Sequence, residues 1–178
     1  MRTSIGTSSI ARTGGGQVVG LIIAHDMNYE LSIPDGLSEK FNPIFELLAK
    51  LDEDLIPNLD DDLKDNILDE NGKIIDDCLL HMLIGAVIPG VSKGILTNQT
   101  KFITSRMKQR GYYAAMCEAT GPISQHVTAN KLGYTPIASI DYGDFEYNGR
   151  KPFASLPHNN RSRDGVPCES CVMMIKVM

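Results

Sequence analysis

Residues 78–88, CLLHMLIGAVI, form an almost continuously apolar run that is ended by Pro89-Gly90. A run without polar alternation is typical of a central strand that is covered on both faces. Directly after it, the residues from Lys93 onward place apolar side chains at helical spacing, with Gly111 as the expected C-terminal cap. A buried strand that leads into an amphipathic helix predicts an α/β fold with parallel strands at the centre of its sheet.

Further strands and helices are predicted on both sides of this pair. The other predicted strands cover residues 8–12, 17–24, 113–119, 137–142 and 171–177, and the other predicted helices cover residues 38–51 and 123–132. Helices alternate with strands in the middle of the chain, whereas both ends have consecutive strands. We therefore predict a single α/β domain, residues 1–178, with a mixed sheet that is antiparallel at its ends.

Charges are unevenly distributed along the chain. Residues 52–77 contain eleven acidic and two basic side chains, the other residues contain eleven acidic and fifteen basic ones, and the net charge is −5. We interpret residues 52–77 as a solvated acidic insertion, while the mildly basic remainder suits an anionic ligand such as a nucleotide-bearing cofactor. The sequence has no basic stripe interleaved with aromatic residues and no Trp, which argues against nucleic acid as a partner. No apolar run reaches the length of a membrane span, so no membrane partner is predicted.

Of the four cysteines, only Cys168 and Cys171 lie close together in sequence. Zinc takes four ligands, so this pair would need His158 or a partner chain to complete a site, and we predict no metal. Cysteines without a disulfide pattern are typical of an intracellular protein. The N-terminal segment lacks the apolar core of a signal peptide. The cytoplasm is therefore the predicted location, and the Arg-, Ser- and Thr-containing start leaves an organelle as the alternative.

The junction between the apolar strand and its helix is the first candidate binding site. A helix N-terminus exposes unpaired N–H groups and a partial positive charge, which together bind phosphate. Gly94 lets a ligand approach the backbone closely, and Ser92 and Lys93 add side-chain donors. An ordinary strand-to-helix turn is the alternative, because the loop lacks the Lys-Ser/Thr ending of a P-loop and the third glycine of a dinucleotide-binding fingerprint.

A second strand-to-helix junction carries two hydroxyls, those of Thr120 and Ser124. Ligands of open α/β sheets bind at the carboxyl ends of strands, so these hydroxyls are candidates for chemistry. The alternative is that Thr120 caps the helix and Ser124 lies solvated in its first turn. The four histidines have no acidic or cysteine partner in sequence, and we predict that His81 is a buried core imidazole.

Residues 80–134 resemble the cofactor motif of GNAT-superfamily acetyltransferases, in which a strand ending at Pro leads through a glycine-containing loop to a helix, a strand and a second helix. Other segments resemble the arylalkylamine/dopamine N-acetyltransferase branch of that superfamily. They are Glu118-Ala119-Thr120 with Ser124, Lys131-Leu132-Gly133-Tyr134, Ile140-Asp141-Tyr142, Pro157-His158 and the helix at residues 38–51. The resemblance implies a GNAT-type sheet and transfer of an acetyl group from acetyl-CoA to a small primary amine, either an arylalkylamine or a polyamine.

The resemblance also implies a location for acetyl-CoA. The central parallel strands would be splayed, and pantetheine would enter between the strands that end at Ile88 and Thr120, with its amides paired to the backbone of Val87 and Ile88. The loop formed by Val91, Ser92, Lys93, Gly94, Ile95 and Leu96 would bind the pyrophosphate. Thr120 and Ser124 would assist the attack of the amine on the thioester, while strand N–H groups polarise the oxyanion.

Two loop residues depart from the family pattern, since Val91 stands where Arg or Gln is usual and Leu96 where a small residue is usual. Both changes predict weaker binding of acetyl-CoA. The family's first strand and first helices have no counterpart in the sequence, which implies a domain without its N-terminal part and an open sheet edge that a partner chain or homodimer would cover. The alternative function is a catalytically degenerate GNAT-fold protein that acts as a structural or regulatory subunit of a larger assembly.

Overall fold

The strands form one mixed sheet in the computed structural model, which describes residues 6–29, 38–91, 93–156, 161–162 and 165–178. In this part of the chain the strands are β1 (Ser9–Arg12), β2 (Val18–Asp26), β3 (Leu79–Val87), β4 (Ala114–Ala119), β5 (Thr135–Asp141) and β6 (Ser170–Val177). Their order across the sheet is β1-β2-β3-β4-β6-β5. β2 pairs antiparallel with both β1 and β3, and β3 pairs parallel with β4. The predicted mixed α/β sheet is confirmed.

Helices and helical turns separate these strands. The helices of the described residues are α1 (Asn42–Glu53), α2 (Leu55–Asn58), α3 (Asp61–Ile67), α4 (Ile95–Gln109) and α5 (Pro122–His126). A 3₁₀ turn, Glu39–Phe41, precedes α1, and a π-helical segment, Val127–Lys131, continues α5. The predicted helix at residues 38–51 is therefore observed as a 3₁₀ turn, capped by Ser38, that runs directly into α1. Pro43 has no N–H to donate, so it fits the first turn of α1, and the residues before it form the tighter turn.

Two compact units make up the chain, and each has an apolar core. The first unit contains Met1–Glu30, Asp60–Cys117 and Ile175–Met178, and the second contains Leu31–Leu59 and Glu118–Met174. Fully buried side chains of the first unit include Ile22, Leu79, Leu80, Ile103 and Met107. Those of the second unit include Leu51, Leu55, Tyr142 and Met173. The apolar periodicity of the sequence therefore corresponds to packed side chains in both units.

The acidic segment, residues 52–77, contributes to these cores as well as to the surface. Its buried side chains are Leu55, Leu59, Leu63 and Ile67. The carboxylate of Asp60 accepts a hydrogen bond from the N–H of Leu63 at 2.8 Å, which is the N-cap interaction that begins α3. The interpretation of a solvated insertion thus describes the carboxylates and leaves out the apolar residues between them.

Among the described residues, no helix is long and apolar enough to cross a membrane. In the same ranges, no three His, Cys, Asp or Glu side chains are grouped so that they could bind a metal ion. Cys168 and Cys171 are buried and form no disulfide, and His158 lies outside the described residues.

Candidate functional site

β3 leaves its parallel partner before the middle of its length. The ladder between β3 and β4 runs from the pair Leu79 and Ala114 to the pair His81 and Met116. β3 continues through residues 82–87, and its other edge stays paired with β2 along this part. Within the described chain, residues 83–87 of β3 therefore have no ladder partner on the edge that faces β4, and peptide groups there can bind a ligand that offers amide partners.

The second half of β3 is exposed, although the sequence predicts a strand covered on both faces. Leu79 and Leu80 are buried, whereas Ile84 is 50% exposed, and Ile88, directly after the strand, is 45% exposed. The prediction is wrong for this half because apolar composition reports the tendency of a side chain to be buried and not whether a neighbouring element covers it. An exposed apolar strand end is a surface on which ligands or partners bind.

An apolar groove lies at the end of the β2–β3 pair. The groove has a volume of about 320 Å³ and is lined by Val18, Val19, Gly20, Leu21, Ala86, Val87, Ile88 and Pro89. None of these lining residues has a polar side chain, so any hydrogen bonds there come from the backbone. Val87 and Ile88, which the family resemblance assigns to pantetheine, are thus part of an apolar wall.

The N-terminus of α4 has no side-chain cap. Gly94 is its N-cap residue and has a φ of +85°, a left-handed conformation that favours glycine. The N–H groups of Ile95, Leu96 and Thr97 belong to the first turn, where no intrahelical acceptor is available. Among the described residues, no atom beyond the chain neighbours lies within 4 Å of the position that a Cβ of Gly94 would occupy. This end of the helix is therefore open and partially positive, as an anion site requires.

The side chains of the predicted phosphate loop differ in what they offer a ligand. Lys93 is exposed next to Gly94 and adds positive charge near the end of the helix. Val91 is half-buried and has no side-chain donor, and Ser92 lies outside the described residues. Lys93 and the first-turn N–H groups of α4 are therefore the described donors for an anion.

Leu96 packs toward the sheet. Its Cδ1 atom lies 2.7 Å from the position that a Cβ of Gly85 would occupy. The leucine side chain therefore fills space over Gly85 of β3. The weaker acetyl-CoA binding expected from Leu96 and from the loss of a donor at Val91 stays a prediction.

In the second unit, Thr120 and Ser124 have different surroundings. Thr120 is exposed directly after β4, and its carbonyl accepts a hydrogen bond from the Tyr142 hydroxyl at 2.6 Å. The Ser124 hydroxyl donates to the carbonyl of Gly121 at 2.8 Å and accepts from the N–H of Gly121 at 3.1 Å. Ser124 thus stabilises the turn that begins α5, in keeping with a first-turn role, while Thr120 is an exposed residue.

The side chains of Gln125 and Tyr142 bind backbone carbonyls at the end of β4. The Gln125 amide donates to the carbonyl of Ala119 at 3.1 Å and to that of Ser170 at 2.8 Å. Burial raises the pKa of the Tyr142 hydroxyl, with further contributions from nearby cysteines, so this group stays a hydrogen-bond donor at neutral pH. The bonds from Gln125 to Ser170 and from Tyr142 to Thr120 join residues that are far apart in sequence, and local patterns give no signal for them.

We expect Tyr142→Phe to lower the free energy of unfolding by about 1–3 kcal/mol, because the Thr120 carbonyl loses a buried donor. Tyr113→Phe is the matched control, since its hydroxyl donates to Asp62 at 2.8 Å in an exposed position. There we expect a loss of about 0.5 kcal/mol or less. Urea denaturation measures both values, and equal losses would contradict a structural role for the Tyr142 bond.

His25 of β2 and His81 of β3 form a buried pair at the other end of β3. They face each other directly in the antiparallel ladder, and their ring centroids lie 4.8 Å apart at an interplanar angle of 62°. Nδ1 of His25 lies 2.7 Å from the carbonyl oxygen of Asp26. The prediction that His81 is a buried imidazole is confirmed. Its pairing with His25 depends on strand register, which the sequence does not specify.

Comparisons with known proteins identify the fold. Neither protein-family models nor curated protein sequences match this chain. Among solved structures, the C-terminal condensation domain of Ebony in complex with β-alanyl-dopamine matches with a TM-score of 0.72 at 13% identity, over 97% of this chain and 72% of that one. Mosquito arylalkylamine N-acetyltransferase like 5b matches with a TM-score of 0.62 at 19% identity, over 97% of this chain and 75% of that one. The chain has the GNAT fold.

A third GNAT-fold match is arylalkylamine N-acetyltransferase 2 from Aedes aegypti, with a TM-score of 0.62 at 21% identity, over 96% of this chain and 73% of that one. The resemblance that the sequence motifs indicate is therefore confirmed at the level of the fold. In this GNAT-fold chain, β3, the loop after it and α4 are the strand, loop and helix that the cofactor motif predicts.

Proposed function

We propose that this protein is an N-acetyltransferase that transfers the acetyl group of acetyl-CoA to a small primary amine. The observation that carries the proposal is the course of β3, which leaves its ladder with β4 after His81 and leads through a short loop to the open N-terminus of α4. Strand amides outside a ladder, followed by a helix end without a cap, suit a ligand with amides in one part and a pyrophosphate in another. The pantetheine and pyrophosphate of acetyl-CoA have this arrangement.

Both parts of the donor have partners in this proposal. The backbone of Val87 and the carbonyl of Ile88 pair with the pantetheine amides, because the N–H of Ile88 already donates to the carbonyl of Val19 at 3.0 Å. The pyrophosphate lies in the loop formed by Val91, Ser92, Lys93, Gly94, Ile95 and Leu96. Within that loop, the N–H groups of α4 and the Lys93 ammonium supply the hydrogen bonds and charge that an anion needs.

The proposed reaction is direct attack of a neutral amine on the thioester carbonyl. The C–N bond forms as the carbonyl oxygen becomes an oxyanion, which strand N–H groups stabilise. The C–S bond then breaks, CoA leaves as a thiolate, and the proton lost by the amine nitrogen neutralises it. Thr120 and Ser124 are proposed to assist this proton movement, with Thr120 as the more exposed residue and Ser124 as the one that also shapes the turn into α5.

The acceptor is proposed to be an arylalkylamine or a polyamine. Support comes from solved structures with this fold, which include mosquito arylalkylamine N-acetyltransferases and a polyamine N-acetyltransferase of Drosophila melanogaster that forms N-acetylagmatine. Primary alkylamines are largely protonated at neutral pH, so transfer requires that the bound amine lose a proton before it attacks.

The Ebony comparison favours a second donor. That domain matches with a TM-score of 0.72, against 0.62 for the mosquito arylalkylamine enzymes, and it binds an amide of β-alanine and dopamine. Transfer of a β-aminoacyl group from a thioester would use the same attack on the same carbonyl. The second candidate function is therefore aminoacyl transfer to an arylalkylamine.

The purified full chain can be tested with acetyl-CoA and, separately, with β-alanyl-CoA. Each donor is mixed with phenethylamine, dopamine, agmatine or spermidine, and amide formation is followed by mass spectrometry alongside release of the CoA thiol. We expect amide and thiol in equal amounts, with thiol release that depends on the amine. Folded protein that forms no amide from either donor would contradict the proposed function and favour a structural or regulatory subunit.

A further inference from the structure

Two glycines of the sheet lie directly under the first turn of α4. A Cβ on Gly20 of β2 would lie 2.9 Å from Cγ2 of Ile95 and 2.9 Å from Oε1 of Gln99. A Cβ on Gly85 of β3 would lie 2.7 Å from Cδ1 of Leu96. Distances this short are overlaps, so a Cβ at Gly20 would displace Ile95 and the end of Gln99, and a Cβ at Gly85 would displace the end of Leu96.

Neither glycine is required by its backbone conformation. Gly20 and Gly85 are not among the glycines with positive φ, whereas Gly90 and Gly94 have φ values of +84° and +85° with open space around them. The sequence therefore contains two kinds of glycine near this site. One kind allows the loop to turn, and the other kind makes room for the helix.

The two glycines lie on neighbouring strands, and consecutive residues of α4 pack against them. In the β2–β3 ladder, Gly20 pairs with Val87, and Gly85 pairs with Ile22. The residues that pack on the glycines, Ile95 and Leu96, are the first two residues of α4. The same residues supply first-turn N–H groups that have no intrahelical acceptor. The packing of α4 on β2 and β3 therefore also fixes the position of its anion-binding end.

A hydrogen bond from α4 to β1 adds a third attachment. The Nε2 atom of Gln99, which is buried, lies 3.1 Å from the Ser9 hydroxyl and donates to it. The first two turns of α4 are thus fastened to β1, β2 and β3. A helix fixed in this way cannot move its N-terminus without disturbing the sheet.

We propose that Gly20 and Gly85 are positioning residues for the pyrophosphate of the donor, and that Leu96 and Gly85 form a matched pair. Leu96 stands where the family pattern has a small residue, and Gly85 provides the space that the larger side chain needs. The inference rests on the proposed function, because it concerns the same donor site. It assigns the placement of the anion-binding helix end to two residues that do not contact the anion.

The test compares CoA with pantetheine, which lacks the pyrophosphate and nucleotide. Calorimetry measures the dissociation constants of both ligands for the unaltered chain and for Gly85→Ala and Gly20→Ala. We expect the unaltered chain to bind CoA more tightly, and each variant to lose about tenfold in CoA affinity with little change for pantetheine. Gly14→Ala is the control, because no described atom lies within 4 Å of a Cβ there.

Second-site substitutions distinguish a role in positioning the N-terminus of α4 from a general loss of stability. Leu96→Ala should restore CoA affinity to the Gly85→Ala variant, because it removes the overlapping atom. Ile95→Ala should restore part of the affinity to Gly20→Ala, where the flexible end of Gln99 also overlaps. Should Gly20→Ala not fold, the Gly85 pair still decides the question, because the overlap there involves the flexible end of Leu96. Equal losses for CoA and pantetheine, or unchanged CoA affinity, would overturn the inference. An unaltered chain that binds CoA as expected but transfers no acyl group would overturn the proposed function instead.

Discussion

We expect Gly94→Glu to weaken acetyl-CoA binding by at least about 100-fold. The carboxylate would enter the open end of α4, where it would bind the first-turn N–H groups in place of the pyrophosphate and repel the remaining phosphate charge. A glutamate at this end does not oppose the helix dipole, so α4 should remain folded. The loss is therefore expected in affinity and not in helix content, which circular dichroism can check.

Two control variants distinguish the effect of a negative charge at position 94 from the backbone strain that any side chain causes at a φ of +85°. Gly94→Ala carries the strain of about 1–2 kcal/mol without the charge, and we expect it to lose less than about tenfold in affinity. Gly111→Glu places the same side chain at a φ of +99°, also in open space, beyond the other end of α4. Calorimetric titration should show near-normal binding for Gly111→Glu. Normal binding by Gly94→Glu would show that the phosphate site is wrongly assigned.

Ile67→Ala is expected to lower the free energy of unfolding by about 2–5 kcal/mol. Ile67 ends α3 within the acidic segment and is 0% exposed. Truncation removes buried methyl groups and leaves a cavity that the packed neighbours fill only in part. The result would show that a segment dominated by carboxylates also supplies part of the core.

Ile123→Ala is the matched control for Ile67→Ala, since Ile123 is 68% exposed. The same change of side chain there should alter the free energy of unfolding by about 0.5 kcal/mol or less. Urea denaturation of both variants at constant m-value measures the difference. If both variants lose the same small amount, residues 52–77 are a solvated insertion and Ile67 contributes nothing to the core.

Sequence patterns predict much of this fold because strand and helix signals are local. The predicted strand at residues 113–119 corresponds to β4 (Ala114–Ala119), and the predicted strand at residues 171–177 corresponds to β6 (Ser170–Val177). The helix predicted after Lys93 corresponds to α4. The open N-terminus of that helix follows from Gly94, which leaves it without a side-chain cap. Local propensity and periodicity thus suffice for the elements that frame the donor site.

Other features of the site depend on which elements meet, and the sequence does not contain that information in a local form. The exposure of Ile84 follows from where the ladder between β3 and β4 ends. The fit of Leu96 over Gly85 and the bond from Tyr142 to Thr120 join separate elements. Considered alone, Leu96 predicts a steric obstacle to the pyrophosphate. Its contact with Gly85 places the side chain against the sheet. Such contacts are properties of packing and not of periodicity.

The measurement that tests the central claim most directly is calorimetric titration of the unaltered chain with acetyl-CoA, the reference for the Gly94 series. We expect saturable binding of one acetyl-CoA per chain, with a dissociation constant between about 1 µM and 1 mM, the range of typical enzyme KM values. Such binding, together with its loss in Gly94→Glu, would place the donor at the open end of α4. Folded protein that shows no binding at millimolar acetyl-CoA would contradict it.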